Sequence, residues 1–150
     1  MNKKINSLIV IVFSLLLSSF TIWQSSFEKA QQIAKEKHQL ILLNFSGSDW
    51  CGPCIRMKKE IFDNGIFSKM SDTSLVMINA DFPRNKKTQL DKMIKKQNEN
   101  LADKYNPEGK FPLTLLLNAG GKIIRSWDGL PAETAEQFTM QVKNICDANK

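Results

Sequence analysis

The sequence predicts an α/β domain: a central mixed sheet of about four to five strands flanked by helices, preceded by an N-terminal signal or anchor segment. Three observations carry this. Residues 40 to 45 and 75 to 81 are nearly unbroken apolar runs, too continuous for strands with one wet face and suited to a sheet covered on both sides. Segments of helical periodicity lie before, between and after them. Near the C-terminus two short apolar stretches flank a turn with two glycines, the pattern of an antiparallel hairpin at one edge. With 150 residues, 42% apolar and 24% charged, the chain can bury one core, which excludes disordered, collagen-like and solenoid classes. The net charge is +6, and Lys3 and Lys4 supply two of those charges. The remaining excess is spread along the chain and calls for no nucleic-acid partner.

Residues 1 to 24 open with Lys3 and Lys4 and run apolar from Leu8 to Leu17, broken only by Ser14, which is the pattern of an export signal. Counted from Ile5 to Trp23 the stretch nearly reaches the roughly 20 residues of a bilayer span, and no small-x-small cleavage site follows, so a retained membrane anchor stays open beside a cleaved signal peptide. A helix buried in the domain is a third reading. No Cys follows to accept a lipid. Signal or anchor, the segment places a single domain, residues 25 to 150, in the periplasm or on the outer face of the inner membrane.

Along that domain, Ser25 and Glu28 have capping-box spacing and Phe27, Ala30, Ile33 and Ala34 recur at helical intervals, predicting a helix over 26 to 37. The strand at 40 to 45 is broken only by Asn44, a second helix begins at about Cys51, and the strand at 75 to 81 follows. A basic, Pro-containing loop at 82 to 87 leads into a long helix with Leu90, Met93, Ile94, Gln97 and Leu101 on one face and Lys92, Lys95 and Lys96 outside it. Those lysines read as a solvated face or as a docking patch for an acidic partner. Pro107 and Gly109 end that helix, the hairpin spans 113 to 127, and the last helix takes Pro131 as its start and buries Phe138, Val142 and Ile145.

The chemistry concentrates at Trp50-Cys51-Gly52-Pro53-Cys54, between a predicted strand and a predicted helix. At a helix N-terminus the free N–H groups and the positive end of the dipole favour a thiolate, which makes Cys51 the nucleophile. Cys54 falls on the same face of the first turn, near enough to close a disulfide and deeper, from where it can attack a mixed disulfide. Pro53 brings a preset φ, and Gly52 keeps bulk away from the attacking sulfur. Half a zinc site is an alternative, but His38 is the only histidine and Cys146 the only other thiol, so no metal is expected. A purely structural disulfide would close a very short loop and remove little chain entropy. Cys146 reads as a small buried hydrophobe, His38 as a surface residue ending the first helix, and Phe82 and Trp127 as core.

The stretch from Asn44 to Cys54 resembles the active-site strand and helix start of the thioredoxin superfamily, and its Phe-Ser-Gly-Ser-Asp lead-in is closer to exported bacterial thioredoxin-like proteins than to cytosolic thioredoxin. Phe111-Pro112-Leu113-Thr114 resembles the family's cis-proline loop. The resemblance implies a thioredoxin-like fold over residues 25 to 148, a cis Pro112, and backbone groups of Phe111 offered to an extended substrate segment, with Trp50, Gly52 and Pro53 supporting Cys51 and Cys54. One departure stands out: many thioredoxins bury an acid beneath the second Cys, where this chain has Asn44 and Phe45, and Asp49 reads as a capping or surface acid. The implied function is a thiol-disulfide oxidoreductase of the cell envelope acting on protein disulfides or dithiols, by its Gly-Pro pair a reductase fed by a membrane electron donor. No dinucleotide or flavin motif calls for a cofactor. The rival is a redox-inert peptide-binding module tethered at the membrane.

Overall fold

The most buried strand organises the chain. In the computed structural model, which describes residues 23–150, all seven residues of β2 (Leu40–Ser46) are buried, because the strand is paired along both edges and covered on both faces. It runs parallel to β3 (Leu75–Asp81) and antiparallel to β4 (Leu113–Leu117), β4 pairs antiparallel with β5 (Ile123–Asp128), and a two-residue strand β1 (Trp23–Gln24) pairs parallel with the far edge of β3. The order β1-β3-β2-β4-β5 is the expected mixed sheet, at the upper end of the expected strand number.

Alternation along β2 sorts the core into two layers. Leu40 and Leu42 face the short helix α2 (Gly52–Arg56) with its π-helical continuation Met57–Phe62, α3 (Gly65–Ser74) and α5 (Ala135–Ala148), in a cluster that includes Met57, Phe67, Phe138 and Val142. Ile41, Leu43 and Phe45 face α1 (Phe27–Lys37) and α4 (Lys92–Tyr105), among them Ala30, Ala34, Leu101 and Tyr105. Tyr105 reaches across to donate its hydroxyl to the carbonyl of Gly121 at 2.8 Å, and that glycine, at φ +83°, has no room for a side chain against the same hydroxyl.

Several boundaries differ from those read in the sequence. The proposed signal or anchor at 1 to 24 lies outside the described residues except for Trp23 and Gln24, and these two form β1, so the folded chain takes in two residues of that stretch. Ser26, not Ser25, caps α1 by accepting the N–H of Lys29. The single helix expected from Cys51 is two: the π-turn ends at Phe62, and Asn64 opens α3 by accepting the N–H of Ile66. Asp91 caps α4 through two N–H groups, which leaves Leu90 in the loop. Finally, α5 starts not at Pro131 but after Thr134, whose hydroxyl accepts the N–H of Gln137 while the Gln137 side chain accepts the N–H of Thr134. A reciprocal cap satisfies two free donors where a proline merely lacks one, so it determines the start.

That choice is measurable. Thr134→Ala should cost about 1 kcal/mol in urea unfolding, while Pro131→Ala should change stability by no more than about 0.5 kcal/mol. The reverse ranking would put the helix start at the proline.

Candidate active site

Beyond Ser46 the chain leaves β2 and turns through Gly47, where the N–H of Cys51 bonds the Gly47 carbonyl at 2.9 Å. A side chain at Gly47 would collide with the Trp50 indole, so the glycine is what lets Trp50 fold back over the turn. Cys51 is the N-cap of α2: its backbone is extended and its Sγ accepts the N–H of Cys54 at 3.2 Å, as a Ser or Asp oxygen does at other helix starts. Pro53 stands in the first turn, Gly52 opens to solvent with nothing near its Cα, and Cys51 and Cys54 are joined in a disulfide with their Cα atoms 5.2 Å apart. The sequence reading set Cys54 deeper than Cys51, but both are 4% exposed, since in a closed disulfide each sulfur covers the other.

Three strand ends meet around this pair. Trp50 donates its indole N–H to the carbonyl of Phe82 just past β3 at 2.8 Å, and its ring packs edge-on against Phe111 just before β4, with centroids 5.5 Å apart. Phe82 packs edge-on against Phe111 as well, at 5.6 Å. It is half-buried there and also touches the core, so its role is wider than the core residue read in the sequence; Trp127 is half-buried too and packs on Phe138 at the edge of the core. The Phe111–Pro112 bond is cis, and the Pro112 carbonyl accepts the N–H of Gly129 at 2.9 Å. The main chain of Phe111 lies outside every strand and has no hydrogen-bond partner among the described residues.

Behind Cys54 a cleft of about 370 Å³ is walled by Asn44, Ser46, Asn79, Ile55 and Phe62, with Lys58 and Lys59 at α2's continuation and Trp23 from β1. The polar side chains of this wall, Asn44, Ser46 and Asn79, are the middle of a hydrogen-bonded chain across three strands. Thr114 donates to Asn44, Asn44 to Asn79, Asn79 to Ser46, and Ser46 to Asp81, all between 2.8 and 3.0 Å. Asp81 also accepts the backbone N–H and the hydroxyl of Ser48. Asn44 therefore bonds side chains, not backbone, and it shares the cleft with Cys54.

Sequence reasoning missed the task of Asp49. Its carboxylate accepts the N–H groups of Arg84 at 3.0 Å and Asn85 at 2.7 Å and the hydroxyl of Thr88 at 2.7 Å. These bonds pin the loop after β3 to the lead-in of Cys51 and hold the Asp49 carboxyl below the usual carboxylate range. No local spacing could announce them, because the partners lie more than thirty residues on. Cys146 is a free, buried thiol on α5, its pKa pushed up to about 11 mainly by burial and further by the neighbouring Asp147 charge. His38 is exposed at the left-handed end of α1, and among the described residues no three His, Cys, Asp or Glu side chains gather around a common point for a metal.

A mixed sheet with a Cys-capped helix at the end of its central strand and a cis proline opposite defines a thioredoxin-like domain, and a family model of that description matches residues 27–145, so the chain belongs to the thioredoxin-like family. Among curated proteins it is 33% identical over 102 residues to the disulfide bond reductase DsbH of Chlamydia pneumoniae, covering 68% of this chain and 59% of that protein. It is 28% identical over 132 residues to the thioredoxin-related protein DsbJ of the same organism, covering 88% of this chain and 37% of that one. The chain thus spans less than two thirds of the length of either relative. A solved DsbH oxidoreductase superposes with a TM-score of 0.76 at 27% identity over 84% of each chain. A Thermus thermophilus thioredoxin, at 0.63 and 13% identity over 87% of this chain and 91% of that one, shares the fold.

Asp49→Ala should free the Arg84 and Asn85 amides, read as faster hydrogen exchange at those two positions. Because the folded carboxyl titrates below its unfolded value, its contribution is complete above about pH 4 and fades as the pH falls through the lowered folded pKa. Wild type and variant should converge in stability only in that acid window. An Asp49 midpoint at or above the ordinary aspartate value, followed by NMR, would contradict the latch.

Proposed function

We propose that the protein is a thiol-disulfide oxidoreductase of the cell envelope that exchanges disulfides with protein substrates through Cys51 and Cys54, working as a reductase. The observation that carries the reading is Cys51 itself, the N-cap of α2, with its sulfur receiving a backbone N–H and a second thiol within disulfide reach on the same turn. A thiolate formed at that position gains from the same N–H group and from the helix dipole.

In the reducing direction the Cys51 thiolate attacks one sulfur of a substrate disulfide, and the other substrate sulfur leaves as a thiolate that takes up a proton. The Cys54 thiol gives up its proton and attacks the Cys51 sulfur, closing Cys51–Cys54 and releasing the second substrate thiol, so two electrons pass from the protein to the substrate. Trp50 and Pro53 hold the pair, and Gly52 puts no side chain over it. The unpaired main chain of Phe111, held by the cis Pro112, offers a donor and an acceptor to an extended substrate segment beside Cys51. The direction rests on the Gly-Pro pair between the cysteines and on the likeness to a relative named as a reductase. Envelope placement rests on the charge and apolar pattern of residues 1 to 24. A reductase in that compartment draws its electrons from a membrane donor, and nothing in the chain calls for a bound cofactor.

Insulin reduction by the full-length chain with dithiothreitol is the first test. Cys51→Ser should abolish it, and Cys54→Ser should leave attack intact but block release, so that mixed disulfides accumulate. Peptide binding without any reduction by the wild type would favour the redox-inert module.

Asn44 gives a second, finer test, because it lines the cleft that Cys54 borders and no carboxylate stands at its position. Asn44→Asp installs a carboxyl at a site 5% exposed, where burial raises its pKa. The pH profile of turnover should shift while urea unfolding stays cooperative. A folded variant with an unaltered profile would mean that this wall of the cleft does not serve Cys54.

A further inference from the structure

The loop between β3 and α4 carries Arg84, Lys86 and Lys87 and, over residues 82 to 89, no acid. All three cations are exposed, and none is ion-paired among the described residues. On the α2 side of the cysteine pair Arg56 is met by Glu60 and Lys58 by Asp63, and Lys59 has no ion pair among the described residues. The backbone that bears these cations is fastened at several points. Asp49 holds the N–H groups of Arg84 and Asn85 and the hydroxyl of Thr88, and the Phe82 carbonyl is bonded by Trp50. These donors are neutral and keep Asp49 ionised, so it sets one negative charge against the three cations of the loop.

The position of the loop gives it a use. The Arg84 guanidinium lies 3.8 Å above the Trp50 ring, one residue from Cys51, and Phe82 lies against Phe111, whose main chain is unpaired. Stacking on an indole engages the flat face of a guanidinium and leaves its in-plane N–H donors free for a carboxylate fork. Lys95 of α4 adds the same sign beside Phe82 and Pro83. Of the acids near it, Asp81 is turned to Ser46 and Ser48, Asp91 caps α4 through the N–H groups of Met93 and Ile94, and Glu99 lines the same hollow one turn along α4.

We propose that this loop is a docking surface for acidic segments of the proteins whose disulfides Cys51 attacks. The proposal rests on the exchange reading above and names its substrate class: chains with Asp or Glu near the reactive cysteine. Because the loop backbone is fastened and Arg84 is stacked on Trp50, docking orders little more than the side chains of Lys86 and Lys87, and the excess of cations on the loop draws acidic chains towards Cys51 before contact.

The test uses the reduced full-length protein and two synthetic peptides, each closed by one disulfide and identical except that three flanking residues are Glu in one and Lys in the other. The Glu peptide should exchange about tenfold faster at low ionic strength, and the ratio should shrink towards one near 1 M salt, where the screening length is about 3 Å. In the double variant Lys86→Glu with Lys87→Glu the low-salt ratio should fall below one. Both peptides meet the same variant, so a folding defect would slow them alike and leave the ratio unchanged. Equal rates for the two peptides with the wild type would overturn the docking surface and leave the exchange reading standing, as would a Glu preference that survives the double variant. No exchange with either peptide or with 2-hydroxyethyl disulfide would remove the exchange reading and the docking surface together.

Discussion

The end of β2 governs everything around Cys51. A strand paired on both edges and buried on both faces has no freedom in where it stops, and its neighbours run so that three ends coincide: β2 and β3 finish where the antiparallel β4 begins. In register terms Phe45 stands opposite Leu113 and Ser46 opposite Asp81. Each chain leaving the sheet at this edge therefore emerges beside the others. Trp50, Phe82 and Phe111 meet because they are the first large side chains beyond those ends. The helix start that presents Cys51 inherits its position from the register of the sheet.

That register is itself held by polar contacts inside the domain. Side-chain bonds run from Thr114 on β4 through Asn44 and Ser46 on β2 to Asn79 and Asp81 on β3. A slip of one residue on any strand would turn its members to the opposite face and leave several buried polar groups without partners, at about 1–3 kcal/mol each. An apolar wall could fill the same space but could not choose among registers so sharply. The chain keeps this wall largely neutral, with amides and hydroxyls at its centre and Asp81 at its outer end, where the carboxylate meets Ser48 as the chain turns towards Cys51. Asn44 thereby aligns the sheet with no charge to desolvate beside Cys54.

How far this could be read beforehand depended on distance along the chain. Residues 40 to 45 and 75 to 81 announced buried strands because continuous apolar runs have one cheap fate, and Cys51 and Cys54 are legible because helix start, spacing and thiols are all local. β1 was invisible for a physical reason: two residues with no turn before them merge into the apolar pattern they follow. The π-turn that separates α2 from α3 has no sequence mark comparable to a proline, and at α5 a proline signal competed with a capping box and lost. Asp49 and Asn44 showed their residue types but not their partners, since those come from β3, β4 and the loop beyond. Long-range pairings of that kind follow from the register of neighbouring strands, and the sequence shows a mixed sheet with an edge hairpin but no register.

Cys146 has a consequence of another sort. Three cysteines can pair in three ways, and in an oxidising medium an unfolded chain samples them all. In the folded domain α5 seats Cys146 among Phe138, Val142 and the core beneath, at 3% exposure. That packing takes the third sulfur out of circulation, and the same burial pushes its pKa up to about 11. The choice among the three bond patterns thus depends on helix docking as well as on the thiols: once the fourteen-residue α5 lies on the sheet, Cys146 is covered.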